Sequence, residues 1–198
     1  IEEIELVDML YMRSRIRNIG LLLAGLNEVQ ALLLGVAKRL FHQDVFVVYK
    51  NFLQSVLDIF HSDESIGMIG MVGSLKIPID GVMWHGYRTG PLYGVTPNKE
   101  EYTSYMYRLT DGLNEVDAID GFIMITCIDI PWREDLFDGW DFYDVSQSFE
   151  FQRKGYKVVV PEQTCAWCKH DDGILNFINY EKYRKICIYE YKEFFCLE

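Results

Sequence analysis

The chain has 198 residues, a length that fits one domain or one domain with an appendage. Apolar residues make up 49% and aromatic residues 15%, which supplies a sizeable core and excludes a disordered chain. The formal net charge of −11 repels nucleic acid and anionic membrane surfaces, although a divalent cation can reconcile it with a phosphorylated ligand.

Residues Ile1 to Val7 alternate acidic and apolar side chains, as in an edge strand. Apolar residues recur at three- and four-residue spacing from Ile16 to Lys38, which predicts a helix. A strand is expected over Phe41 to Val48, with the polar trio His42-Gln43-Asp44 at its start or middle. Asn51 to His61 is predicted to be an amphipathic helix, with Phe52, Val56, Leu57 and Phe60 on one face. Ile66 to Val72 is a short apolar strand flanked by Gly67, Gly70 and Gly73.

Residues 73 to 115 are rich in Gly, Pro, Tyr and Trp and show little periodicity. A long functional loop is expected there, with a hairpin from Gly81 to Tyr93. Val116 to Cys127 reads as a strand interrupted by Asp120-Gly121. Asp144 to Lys154 is predicted to be helical, with Gly155 as its C-terminal cap. Lys157 to Val160 is a β-branched strand ending at Pro161. Leu175 to Leu197 is expected to be a closing helix that buries Ile178, Tyr183, Ile186, Ile188 and Tyr191. Strands alternating with helices indicate an α/β sheet with helices on both faces, whose ligands sit at the carboxyl ends of the strands.

The cysteines are Cys127, Cys165, Cys168, Cys187 and Cys196. Their odd number and apolar settings give no disulfide framework, so reduced thiols in a cytosolic protein are expected. Cys165-Ala-Trp-Cys168 is a lone C-x-x-C with His170 nearby. Two thiols at a strand end are the preferred reading over a zinc site. No apolar run reaches the ~18–20 residues that span a bilayer, and no signal-peptide pattern is present. The chain opens at Ile1 rather than Met, so a missing upstream piece is expected.

Four constellations carry candidate chemistry. Asp44, in or after an apolar strand, needs a cation or hydrogen-bond partners; it is either a metal ligand or the cap of a loop. Asp138, Asp141 and Asp144 precede or open a helix, where the dipole favours a carboxylate. Asp144 is therefore an N-cap, a general base, or both. His170, followed by Asp171-Asp172, is either a ligand or a plain polar residue. Asp120-Gly121 is either a ligand contact or a turn. Trp84, Trp132, Trp140 and Trp167 either stack on sugar rings or pack the core.

Taken together, these segments resemble a bacterial glycosyltransferase-like family with the GT-A fold, close to the large inverting family two. The resemblance runs from about residue 20 to 195. It rests on Asn27-Glu28, Phe41-His42-Gln43-Asp44-Val45-Phe46 in the place of a D-x-D motif, and Ile66-Gly67-Met68-Ile69-Gly70. It continues through Val116 to Phe122, the run Trp132 to Trp140 leading into Tyr143-Asp144, Gly155 to Pro161, and His170. It implies a GT-A-type sheet, mixed but mostly parallel and flanked by helices, with at most a partial first nucleotide-binding strand. The expected layout is a single domain over 1–198, with a weakly matched front at 1–25, an acceptor region at 73–115 and a C-terminal helix at 174–198.

The resemblance also implies transfer of a sugar, with inversion, from a nucleotide-sugar donor to a hydroxyl on a glycan, lipid-linked or protein acceptor. Asp144 would be the base. Asp44 would hold Mn²⁺ or Mg²⁺, with His170 and His42 as further candidate ligands. Gln43, Asp120, Gly121, Trp140 and Tyr143 would contact donor or acceptor. Neither a nucleic-acid partner nor a transmembrane segment is expected, and the cytoplasm, or the inner face of its membrane, is the expected location. Two departures stand out: His42 replaces the first Asp of the D-x-D motif, and the front is at most partial. A catalytically silent or truncated binding module is the alternative reading. A nucleotidyltransferase is a third, and it lacks the Gly-rich phosphate loop it would need.

Overall fold

The computed structural model describes residues 45–96, 98–105, 112–171 and 177–195, together with the backbone of 38–41. The predicted edge strand at the front and most of the first predicted helix lie outside these residues. Twelve strands and three α-helices are described, an α/β arrangement with three sheets.

The central sheet carries β1 (Lys38–Phe41), β3 (Ile66–Ile69), β8 (Leu113–Glu115), β10 (Ile123–Thr126) and β11 (Lys157–Pro161), in the order β1-β10-β3-β11-β8. All four residues of β3 are buried, as expected of a strand covered on both faces. Only its pairing with β11 is parallel; β1–β10, β10–β3 and β11–β8 are antiparallel. The sheet is mixed as expected, but it is mostly antiparallel rather than mostly parallel. The parallel pair, β3 and β11, has a helix between its strands in the chain (Tyr143–Arg153), whereas no α-helix among the described residues lies between β3 and its antiparallel neighbour β10.

A second sheet holds β2 (Val45–Val47), β6 (Pro91–Val95), β7 (Glu101–Tyr105) and β12 (Cys168–His170), ordered β2-β12-β6-β7. A third is built from β4 (Gly73–Ser74), β5 (Arg88–Thr89) and β9 (Ala118–Ile119), ordered β5-β4-β9. Residues 73–115 are therefore woven into all three sheets rather than forming one loop. The hairpin there joins β6 to β7, not Gly81 to Tyr93.

Two predicted strands each divide between sheets. The one expected over Phe41 to Val48 becomes β1, paired with β10, and β2, paired with β12. His42-Gln43-Asp44, between them, lies outside the described residues. The strand expected from Val116 to Cys127 becomes β9 and β10, with Asp120-Gly121 at the change of sheet. There the Asp120 N–H bonds the Val72 carbonyl at 2.8 Å, and Asp120 Oδ1 accepts the Phe122 N–H at 3.2 Å.

Helix α1 (Phe52–Ser62) buries Phe52, Val56 and Leu57, with Phe60 packed partly against the same cluster. Helix α2 (Tyr143–Arg153) ends as expected: Gly155 takes φ +83°, its N–H bonds the Gln152 carbonyl, and the Tyr156 N–H bonds the Phe151 carbonyl. This is a Schellman closure, completed by the Phe151 and Tyr156 rings 6.4 Å apart.

The closing helix is shorter than expected. Helix α3 spans Tyr180–Glu190 and a 3₁₀ turn follows at Lys192–Phe194. It buries Tyr183 and Cys187, and Tyr191 just beyond it, whereas Ile178 precedes it and is exposed. Ile186 and Ile188 pack partly against the cluster shared with Phe137, Phe142 and Phe149. No helix among the described residues is long and apolar enough to cross a membrane.

Candidate active site

The site is built where α2 meets the seam between β9 and β10. Three side chains at four-residue intervals on α2 grip this segment at two-residue intervals. Asp144 Oδ2 accepts the Gly121 N–H at 2.9 Å. Ser148 Oγ accepts the Ile119 N–H at 3.3 Å and donates to the Asp144 carbonyl at 2.8 Å. Gln152 Nε2 donates to the Asp117 carbonyl at 2.6 Å. The match is geometric: four helical residues rise about 6 Å and two strand residues advance about 6.6 Å. Ser148 and Gln152 were missed in the sequence, yet the D-x-x-x-S-x-x-x-Q spacing that aligns them on one helix face was available there.

Asp144 lies in the first turn of α2 rather than at its N-cap. That position falls to Phe142, which adopts a left-handed φ of 65° and makes no side-chain capping bond. The second Asp144 oxygen accepts the Val145 N–H at 2.8 Å. Gly121 is required opposite it, because a Cβ there would collide with the Tyr143 hydroxyl. Tyr143 is itself buried, tilted against Trp132 at 6.1 Å, and so braces the turn that carries Asp144.

Burial dominates the electrostatics. Withdrawal from water, and then the like charge of Asp120, push the Asp144 carboxyl up to about 7, against the backbone N–H groups of Val145, Gly121 and Asp144 itself, which favour its ionised form. Burial also raises Asp141. Tyr180 packs against Phe142 with ring centroids 4.9 Å apart, and its phenol is pushed up to about 12 by burial and then by Asp144. The described residues place no salt bridge on Asp144. It is a carboxylate that exchanges a proton near neutrality, in the field of a second carboxylate.

His170 arrives from the other side. Its ring stacks on Phe122 at 5.3 Å and 16°, two residues beyond Asp120. In β12 it pairs with Val45, the residue after Asp44, and with Gly94. Segment 120–122 thus links Asp144 to His170. Of the other expected contacts, Trp140 is largely exposed just before α2. His42, Gln43 and Asp44 lie outside the described residues.

No three metal-ligating side chains converge among the described residues. The described residues alone therefore do not make a Mn²⁺ or Mg²⁺ site, and the expected ligands His42 and Asp44 lie outside them. In the C-x-x-C, Cys165 is exposed and Cys168 is a buried β12 residue, both free thiols.

No curated protein matches the chain. The model of the family described as "Glycosyltransferase like family" matches residues 26–191, which span β1 to α3 and contain every candidate residue named above. The chain belongs to this glycosyltransferase-like family.

Proposed function

We propose that the protein transfers a sugar from a nucleotide-sugar donor to an acceptor hydroxyl with inversion, using Asp144 as the general base. The observation that carries this is the Asp144 carboxyl itself. It is fixed by the Gly121 and Val145 N–H groups and poised at about 7 beside Asp120. A base whose pKa lies near the working pH is present in its active form and still accepts a proton readily. In the step proposed, the acceptor oxygen forms a bond to the anomeric carbon and its proton passes to Asp144. The bond from that carbon to the donor diphosphate breaks, and the nucleoside diphosphate leaves with the electron pair.

The other assignments follow from position. Asp120, at the sheet change, faces the sugar. Trp140, exposed beside the first turn of α2, offers an indole face to a saccharide ring. A GT-A-type arrangement is proposed for the whole, with α2 packed across β3, β9 and β11. A Mn²⁺ or Mg²⁺ ion held by Asp44, with His170 and His42 near it, would neutralise charge on the donor diphosphate.

The test is calorimetric titration of nucleoside diphosphates with and without Mn²⁺, paired with turnover of nucleotide sugars. Metal-dependent binding that Asp44→Ala loses, together with sugar transfer that Asp144→Asn loses, is the expected result. Binding without turnover would replace the enzyme reading with that of a sugar-nucleotide-binding module.

A further inference from the structure

β9 is an edge strand: β4 occupies one side of it, and among the described residues no strand pairs with the other. Such an edge leaves main-chain groups that the fold has to satisfy. Here α2 covers them with side chains in place of a strand. The Gly121 N–H, the Ile119 N–H and the Asp117 carbonyl are met in turn by Asp144, Ser148 and Gln152. The Asp120 N–H is held elsewhere, by the Val72 carbonyl just before β4. The backbone on both flanks of Asp120 is therefore fixed from α2, at Ile119 by Ser148 and at Gly121 by Asp144 itself.

Ser148 is fully buried. Its hydroxyl accepts from Ile119 and donates to the Asp144 carbonyl, so it ties the strand to the turn that carries the carboxylate. Gln152 lies eight positions after Asp144, about 12 Å along the helix, too far to touch a group reacting there. It donates to the Asp117 carbonyl and, at 3.2 Å, to the Ser148 carbonyl. The Asp117 carboxylate in turn accepts the Ile77 N–H at 2.9 Å, which anchors that end of the segment a second time. Two other polar side chains of α2 make different attachments. Ser146 Oγ meets the Tyr191 hydroxyl at 2.7 Å, and Gln147 Nε2 donates to the Ile130 carbonyl at 2.8 Å.

The ionisable groups in the field of Asp144 come from two sides. Asp120 acts on it from the gripped turn. On α3, Tyr180 and Cys187 are raised in proton affinity first by burial and then by the charge of Asp144, so both stay neutral around pH 7. Asp120 is thus the charged neighbour whose distance the grip of α2 controls.

We propose that Ser148 and Gln152 are positioning residues for the transfer described above, a reading on which this inference rests: they hold the Asp120-Gly121 turn against Asp144 and so fix the separation of the two carboxylates and the burial of the base. Loosening the grip admits water and lets Asp120 move away. Both changes favour the ionised form of Asp144. The clamp thereby sets the pH at which the base works.

The experiment follows the Asp144 carboxyl of the full chain by carbon NMR, its resonance identified by its loss in Asp144→Asn, beside the pH profile of sugar transfer. The parent carboxyl should titrate near 7. In Gln152→Met and Ser148→Ala it should titrate lower by about half a pH unit or more, with the acid limb of transfer moving alongside. Ser146→Ala, which cuts an attachment of the same helix to Tyr191, should lower the melting temperature and leave both titrations in place. Gln152 is half-buried near the end of α2, so its variant decides the matter even where Ser148→Ala fails to fold.

An Asp144 titration unmoved in Gln152→Met and in folded Ser148→Ala, or moved equally by Ser146→Ala, overturns the proposal. A shifted titration in a chain that transfers no sugar would overturn the transferase reading and leave the clamp standing. A shifted titration with an unmoved acid limb would support the clamp and remove Asp144 from the base role.

Discussion

The two ends of α2 treat charge in opposite ways. Toward its C-terminal end, Glu150 and Arg153 enter a network with Arg133, Glu190 and Glu193, and Arg153 also lies over the Tyr191 ring at 4.3 Å. There the neighbouring guanidinium groups hold Glu190 below the usual carboxylate range. At the N-terminal end, Asp144 meets backbone N–H groups and a second carboxylate, and its proton affinity rises instead. One end is neutralised and therefore inert. The other keeps a proton acceptor that the scaffold leaves unneutralised, as proton transfer requires.

The largest effect should come from breaking the unneutralised end. Asp144→Asn keeps the side-chain shape but cannot take a proton, so transfer should fall by about 100-fold or more while nucleoside diphosphate binding persists. Unchanged release of nucleoside diphosphate in the presence of acceptor would remove Asp144 from the base role.

Gly121→Ala attacks the same end through packing. The added methyl displaces Tyr143 and the turn that carries Asp144. A loss of about 1–3 kcal/mol in denaturant titration, with a fall in kcat, is expected. Gly155→Val probes the opposite end. Nothing crowds a side chain there, so its cost is that of the left-handed backbone alone, about 1–2 kcal/mol. It should lower the melting temperature and leave turnover per folded molecule intact. A drop in kcat as large as that of Gly121→Ala would erase the distinction between the two ends.

A pH series sharpens the comparison. On the proposed mechanism transfer requires the Asp144 carboxylate, so activity should rise as the pH climbs through about 7. Stability should move the other way. The folded state holds the Asp144 proton to about pH 7, whereas an ordinary aspartate releases it near 3.8. The folded chain therefore binds more protons across that window, and this group's stabilisation is lost as the pH rises through it. Asp120→Asn removes the like charge and should shift the acid limb of the activity profile to lower pH, whatever it does to the maximal rate. An unmoved limb would mean that burial alone sets the Asp144 titration. The smallest effect belongs to Arg153→Met, a salt-dependent change within about 1 kcal/mol in thermal melts, with the pH profile untouched.

Much of this was legible in the sequence. The four-residue spacing of Phe52, Val56 and Phe60 and the Gly after Lys154 are short-range signals, and α1 and the α2 closure appear close to where they predict. The break at Asp120-Gly121 and the place of Asp144 near the N-terminal end of α2 were readable for the same reason. The long helix drawn from Leu175 was an overreach of periodicity. The apolar spacing runs through Ile178, which is exposed, and the described helix begins only at Tyr180.

The sequence by itself determined the family, the alternation of strands and helices, and which aspartates and histidines merit attention. Only the tertiary structure decided that Val116 to Cys127 divides between two sheets, that Ser148 and Gln152 fasten α2 to β9, and that Asp144 lies against Gly121 beside Asp120. The reason is one of range. Helix periods and glycine caps are set by residues a few positions apart, whereas a carboxylate's proton affinity is set by burial and by a like charge 24 positions away in sequence, brought near only by the fold.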